Sequence, residues 1–244
     1  MGSLSLGRAA PPIQRFDTSP IRDRLVSEPV RVDDAEPGDD QDPTVMVARD
    51  GRFDVVWSSR RGGQVDLAIR SSSDGHTWTD EQRITNDPEE DYYPSITQSG
   101  DGVLHVAWFR LERGNGRTDI WYTRSADGIT WAAPLQISNV GQDWAPAIYQ
   151  DAGGVLWIVW SSNRTGNREL YAVHSSDGGW VWSAPDQLTF SAAEDDFPHL
   201  ATSPNGDRVL VWTRYRPGSR RKNYLRDASA EIVMASSPDG LEWS

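Results

Sequence analysis

The 244-residue chain is predicted to fold as an all-β protein, a β-propeller of four-stranded antiparallel blades. Three observations carry this. Pro43, Pro94, Pro146 and Pro198 are each followed 14 positions later by a tryptophan, namely Trp57, Trp108, Trp160 and Trp212. An acidic residue stands 8 positions before an Asp-Gly four times, as Asp66 to Asp74, Asp119 to Asp127, Glu169 to Asp177 and Glu231 to Asp239. Each Asp-Gly then runs into a second tryptophan, at Trp78, Trp131, Trp182 or Trp243. The prolines recur at intervals of 51, 52 and 52 residues, and a period near 50 with strand-like contents indicates radial repetition. The blade repeats are read as 43–85, 94–138, 146–189 and 198–244, within one domain from 27 to 244.

Taken in chain order, residues 1–26 stand outside the repeat and are expected to form an irregular extension. Ser27 to Val32 aligns with Ala132 to Ile137 and with Ser183 to Leu188. Residues 27–34 are therefore expected to complete the fourth blade and close a four-bladed ring, since closure removes exposed strand edges. The alternative is that these repeats are part of a larger propeller. In the second repeat, a first strand is expected from Pro94, because a proline at a strand start forfeits no ladder bond. Ile96 and its equivalents Val45, Ile148 and Leu200 should face the core. Val103 to Trp108 is apolar at nearly every position, as a strand buried on both faces between blades must be. Asp119 to Arg124 reads as a third, amphipathic strand, the stretch around Asp127 as a tight turn, and Leu135 to Ile137 as the outer strand.

The bulk numbers narrow the function. There is no cysteine, hence no disulfide, thiolate metal site or cysteine nucleophile. The net charge of −12 argues against nucleic acid as a partner, because no cationic surplus is available to displace phosphate counterions. No apolar run reaches the ~18 residues of a membrane span. No apolar stretch of signal-peptide type opens the chain.

In the Asp-Gly turns the aspartate should accept bonds from backbone N–H groups two residues on, while glycine supplies a positive φ. Asp74, Asp127, Asp177 and Asp239 are thus assigned a structural role, satisfying buried turn N–H groups. The segments Ser72-Ser-Asp-Gly-His-Thr-Trp78, Ser125-Ala-Asp-Gly-Ile-Thr-Trp131, Ser175-Ser-Asp-Gly-Gly-Trp-Val-Trp182 and Ser237-Pro-Asp-Gly-Leu-Glu-Trp243 resemble Asp-boxes, the BNR repeats of sialidase-like propellers. That resemblance implies a propeller fold, an extracellular or periplasmic setting and a glycan ligand. For an enzyme of that family it implies three arginines on a substrate carboxylate, a Tyr nucleophile activated by a Glu, and an Asp acid/base. The Arg-Ile-Pro signature of such enzymes is absent here, and no Glu–Tyr pair can be assigned from sequence.

The face opposite the Asp-Gly turns carries its own repeat. Asp40, Asp91, Asp143 and Asp195 stand three before each proline, and Arg61, Arg113, Arg164 and Arg216 four or five after each tryptophan. Two readings follow: each Asp pairs with an Arg and staples the blades, or the arginines clamp an anion through their bidentate forks. Tyr92 and Trp144 join the four arginines as candidate ligand-binding residues, with Tyr93 and Phe197 beside them as possible sugar platforms. The basic segment 214–226 makes the fourth repeat longer than the others. Acidic runs at Asp33 to Asp42 and Asp87 to Asp91 offer hard oxygen ligands to Ca²⁺, without an EF-hand pattern. His76, His105, His174 and His199 show no metal-ligand spacing. The expected function is a non-catalytic binding or scaffold propeller for a glycan or another anionic ligand. The alternative is a sialidase-like exo-glycoside hydrolase.

Overall fold

A computed structural model describes residues 30–33, 39–61, 63–216, 229–240 and 242–244. Residues 1–31 group as a separate unit, of which Val30 and Arg31 are described. The remainder is all β. The first blade comprises β1 (Asp39–Val47), β2 (Phe53–Arg60), β3 (Val65–Ser72) and β4 (Gln82–Arg83). The second comprises β5 (Glu90–Gln98), β6 (Leu104–Leu111), β7 (Thr118–Ser125) and β8 (Leu135–Gln136). The third comprises β9 (Asp143–Gln150), β10 (Leu156–Ser162), β11 (Glu169–Ser175) and β12 (Asp186–Gln187). In the fourth, β13 (Glu194–Thr202), β14 (Arg208–Tyr215) and β15 (Ala230–Ser237) are described. Each sheet is an antiparallel meander in chain order, and the innermost strands of successive blades lie next to one another.

The inner strands differ from expectation in one respect. They start at Asp39, Glu90, Asp143 and Glu194, not at the prolines. The proline is accommodated mid-strand by a β-bulge, where the ladder needs no N–H. The residue before each proline takes a positive φ: Asp42 (54°), Tyr93 (51°), Ala145 (46°) and Phe197 (54°). Pairing skips at the same place in every blade, for instance between Tyr92 and Ser95 and between Asp196 and His199.

Three apolar seams hold the blades face to face. Val56, Leu67 and Ile69 of the first blade meet Ile96, Val106 and Trp108 of the second. Ala107, Ile120 and Tyr122 then meet Ile148, Ile158 and Trp160, and Val159 and Leu170 meet Leu210 and Trp212. The second tryptophans of the last three repeats, Trp131, Trp182 and Trp243, pack into the seams with the preceding blade: Trp182 meets Tyr122 edge-on at 5.0 Å between ring centres.

The corresponding outer faces of the first and fourth blades are differently placed. Val45 and Val47 are each 63% exposed, and Ile232 and Met234, which occupy the positions of Ile120 and Tyr122, are 75% and 67% exposed. Among the described residues β15 pairs only with β14. Of the expected closing strand, residues 27–29 and 34 lie outside the described residues, and Val30 to Asp33 are not in a ladder. The Val32 carbonyl instead accepts a hydrogen bond from Arg70 of β3 (2.7 Å), on the first blade.

The four Ser-x-Asp-Gly turns share one bonding pattern. In the second blade Asp127 Oδ1 accepts from the N–H groups of Ile129 (2.9 Å) and Thr130 (2.7 Å). Buried Ser125 donates to the same oxygen (3.0 Å) and accepts from Gly128 N–H (2.9 Å). Asp74, Asp177 and Asp239 make equivalent contacts. The aspartates and the N–H groups of Ile129 and Thr130 are exposed, contrary to the expectation of buried turn donors, because the turn tip projects past the sheet. The N–H groups of Thr130 and Ile129 and the Ser125 hydroxyl hold the Asp127 carboxyl at about 2. The buried member is Ser125, so Ser125→Ala should lower stability by about 1 kcal/mol, and by more than Asp127→Ala, in paired urea melts. The depressed carboxylates contribute stability that is present above their unfolded value of about 4 and lost as pH falls through about 2. Asp127→Asn should therefore flatten the stability profile between pH 5 and 2.

Candidate functional site

The ring aspartates are buried, and this decides what the arginines do. Asp91, Asp143 and Asp195 are fully buried, and Asp40 is part-buried. Asp91 and Asp195 sit directly across the ladder from Arg110 and Arg214. Both pairs are bidentate: Arg110 Nε and Nη2 reach Asp91 at 2.7 and 3.0 Å, and Arg214 reaches Asp195 at 2.7 and 2.9 Å. In the first and third blades a serine, Ser59 or Ser162, stands opposite the aspartate. There the arginine four residues after the tryptophan reaches back: Arg61 to Asp40 at 2.7 Å, and Arg164 to Asp143 at 3.4 Å. Trp57 and Trp108 donate their indole N–H groups to Asp40 and Asp91, at 3.2 and 2.7 Å. Burial pushes the Asp91 and Asp143 carboxyls upward, and the bonds from Arg110 or from Ser138, Ser162 and Arg164 oppose it.

Arg113 and Arg216, expected in the same ring, lie elsewhere. The staple positions in their blades are taken by Arg110 and Arg214, two residues after the tryptophan. Arg113 bonds Glu90 at 2.8 Å and Arg216 bonds Glu231 at 2.8 Å, both on the surface. Arg60 joins Arg113 on Glu90 (3.1 Å) and also donates to the Tyr92 hydroxyl (3.2 Å), which itself donates to Glu90 at 2.8 Å. Burial and Glu90 push the Tyr92 phenol up to about 12, so it keeps its proton. Hydrogen bonds from Tyr92, Arg113 and Arg60 outweigh burial and lower the Glu90 carboxyl. Trp144 lies under Arg168, whose guanidinium sits 4.3 Å from the ring centre. Most of the segment 214–226 lies outside the described residues, as do Asp34 and Glu36 of the acidic run. Among the described residues no three His, Cys, Asp or Glu side chains gather as metal ligands. Asp87 and Asp91 of the second acidic run are ion-paired to Arg110 instead.

The inner strands converge on a pocket of about 280 Å³ at the propeller axis. Its lining is the bulge itself: Asp42, Tyr93, Ala145 and Phe197, the proline after each, and Thr44, Ser95 and His199. None of the four candidate arginines, nor Tyr92 nor Trp144, lines it. The bulge accounts for the offset. A residue forced into positive φ breaks the two-residue alternation, so the side chain one position on from Tyr92, Tyr93, faces the axis. Tyr93 still stacks on Phe109, with 5.7 Å between ring centres, and is 43% exposed. Burial raises the Asp42 carboxyl, against a bond from the Tyr93 N–H.

No family model matches the chain, and no curated protein matches its sequence. Solved structures do match its fold. An α-L-arabinofuranosidase from Fusarium graminearum, in complex with an iminosugar inhibitor, superposes with a TM-score of 0.69 at 20% identity over 82% of this chain. An α-L-arabinanase from Penicillium chrysogenum, complexed with arabinobiose, gives 0.64 at 18% over 82%. A protein of unknown function from Dyadobacter fermentans gives 0.67 at 19% over 86% of this chain and 69% of its own. The chain spans 63% of the length of each of the two fungal structures. The likeness is one of architecture, a β-propeller.

The two classes of arginine separate by measurement. Arg110→Ala leaves Asp91 charged and buried and should cost about 3–5 kcal/mol of stability. Arg113→Ala breaks a half-exposed surface pair and should cost about 1 kcal/mol or less. Chemical denaturation of both variants checks the assignment; equal losses would remove it.

Proposed function

We propose that this chain is a non-catalytic, glycan-binding propeller of the Asp-box type and that its ligand seat is the axial pocket. The supporting observation is the uniform bulge with non-uniform side chains. All four blades present a residue at positive φ to the axis, so the backbone device belongs to the fold. What it presents differs: a carboxylate, a phenol, a methyl group and a phenyl ring. Strain of this kind, about 1–3 kcal/mol per residue, persists where surrounding structure imposes it and gathers at ligand sites. Two aromatic rings beside a carboxylate and hydroxyls suit a sugar, whose C–H face stacks while its hydroxyls bond. The similar solved structures that hold arabinobiose or an iminosugar lend support from fold alone.

Hydrolysis is the second reading, favoured by one observation, the Tyr92–Glu90 hydrogen bond. The arrangement around it speaks for structure. Glu90 is engaged by Arg60 and Arg113, and Tyr92 holds its proton more firmly than an ordinary phenol. Asp42 is the single carboxylate among the described residues lining the axial pocket, whereas paired-carboxylate hydrolysis needs a second at roughly 5–9.5 Å.

Tyr93→Gly separates binding from folding. Relief of positive-φ strain, about 1–3 kcal/mol, offsets the lost Phe109 contact, about 0.5–1.5 kcal/mol. The melting temperature should hold or rise while glycan-array binding is lost. Binding that survives this change would move the site off the axis. Turnover of fluorogenic sialosides or arabinofuranosides that disappears in Tyr92→Phe would establish the hydrolase reading.

A further inference from the structure

We propose that the axial pocket selects a protonated amine, so that the glycan it takes is an amino sugar with a free ammonium group. This rests on the axial pocket being the glycan seat. The anion-clamp expectation required cations at the mouth. No arginine or lysine lines the pocket among the described residues. The arginines around it are bound to carboxylates: Arg61 to Asp40, Arg110 to Asp91, Arg113 to Glu90, Arg164 to Asp143, Arg168 to Asp196 and Arg214 to Asp195. An anion arriving there would have to displace them.

What the pocket does offer is one carboxylate, Asp42, with Tyr93 and Phe197 from two other blades. A carboxylate supplies charge and hydrogen-bond acceptors to an ammonium group. Aromatic faces attract the same cation through the ring quadrupole. The whole chain adds its bias, since a net charge of −12 raises the local concentration of cations and lowers that of anions. Size fits as well. At about 280 Å³ the cavity stands at the lower edge of the roughly 300–1,000 Å³ typical of ligand pockets, room for one sugar ring entering end-on. Burial of Asp42 works in the same direction: an ammonium partner restores to its carboxylate the stabilisation that burial removes. Binding is measured at about pH 6, where a sugar ammonium group, like an ordinary α-amino group, keeps its proton.

The test uses titration calorimetry with two probes of matched backbone, chitosan oligosaccharides, which end in a free-amine glucosamine, and their fully N-acetylated counterparts, together with an anionic glycan, sialyllactose. The proposal expects the free-amine series to bind at least ~10-fold tighter than the acetylated series, and sialyllactose not to bind. Asp42→Asn should bring the two chitin-type series to within ~2-fold of each other. Asparagine tolerates the left-handed backbone required at position 42, so the variant should fold. Its melting temperature, read alongside, confirms this. Equal affinity for amine and N-acetyl forms, preference for sialyllactose, or an amine preference that survives Asp42→Asn would each overturn the proposal. Neutral arabino-oligosaccharides binding in a Tyr93-dependent manner, with amines excluded, would leave the glycan seat standing and sink the amine selectivity alone. Absence of binding to every glycan would remove the seat itself and the inference with it.

Discussion

A carboxylate three residues before each proline, fully buried in three of the four blades, constrains one face of this propeller. A charge removed from water must be met by a partner with good geometry or it costs several kcal/mol. Each blade supplies an arginine, but by two routes. Where the ladder position opposite the aspartate is arginine, as at Arg110 and Arg214, the fork closes directly across the strands. Where it is serine, as at Ser59 and Ser162, the arginine comes from the loop two residues further on. Direct pairs lie at 2.7 Å, as does the looped Arg61 to Asp40, while the looped reach of Arg164 to Asp143 is 3.4 Å. A second row of acids, Asp66, Asp119 and Glu169, is buried in the third strands of the first three blades. There Arg83 and Arg117 bond Asp66 and Asp119, and Thr189 bonds Glu169. Burial still pushes the Asp66 carboxyl up to about 6, in spite of Arg83.

The same arithmetic determines which charges are left for a ligand. Among the described residues of this face, Arg61, Arg110, Arg164 and Arg214 are each bound to a buried or part-buried carboxylate. Among the described residues the axial pocket is lined by other groups. The bulge provides them. It interrupts the strand one residue after the staple region and turns a single side chain per blade toward the axis. Staple and bulge residues are thus close in sequence but face different surroundings. Changing Asp42, Tyr93, Ala145 or Phe197 leaves the staples untouched, so the pocket can differ in chemistry while the scaffold stays constant.

Cohesion between blades is carried by large aromatic groups placed twice in each repeat. Trp108 and Trp160 are fully buried at the seams. Trp182, delivered by the Asp-Gly turn, reaches back over the neighbouring blade to Tyr122. The turn chemistry therefore serves packing between blades. Its exposed aspartates order the turn, and the ordered turn aims the tryptophan. The outer faces at Val45, Val47, Ile232 and Met234 carry the same kind of residues as the inner seams but remain exposed among the described residues.

The sequence by itself determined the repeat, the strand content, the turn geometry and the tryptophan positions. All of these follow from local periodicity and from residues whose backbone or packing demands are fixed, such as Asp-Gly and Pro. It also showed that Asp and Arg recur on one face. Tertiary structure decided which arginine meets which aspartate. That depends on strand register across a bulge, and a one-residue bulge is invisible in a proline that could equally have opened a strand. It likewise decided that Tyr93 and Phe197, and not Tyr92 and Trp144, reach the axis. Side-chain facing alternates along a strand, and only the positive φ at the bulge shows where that alternation breaks.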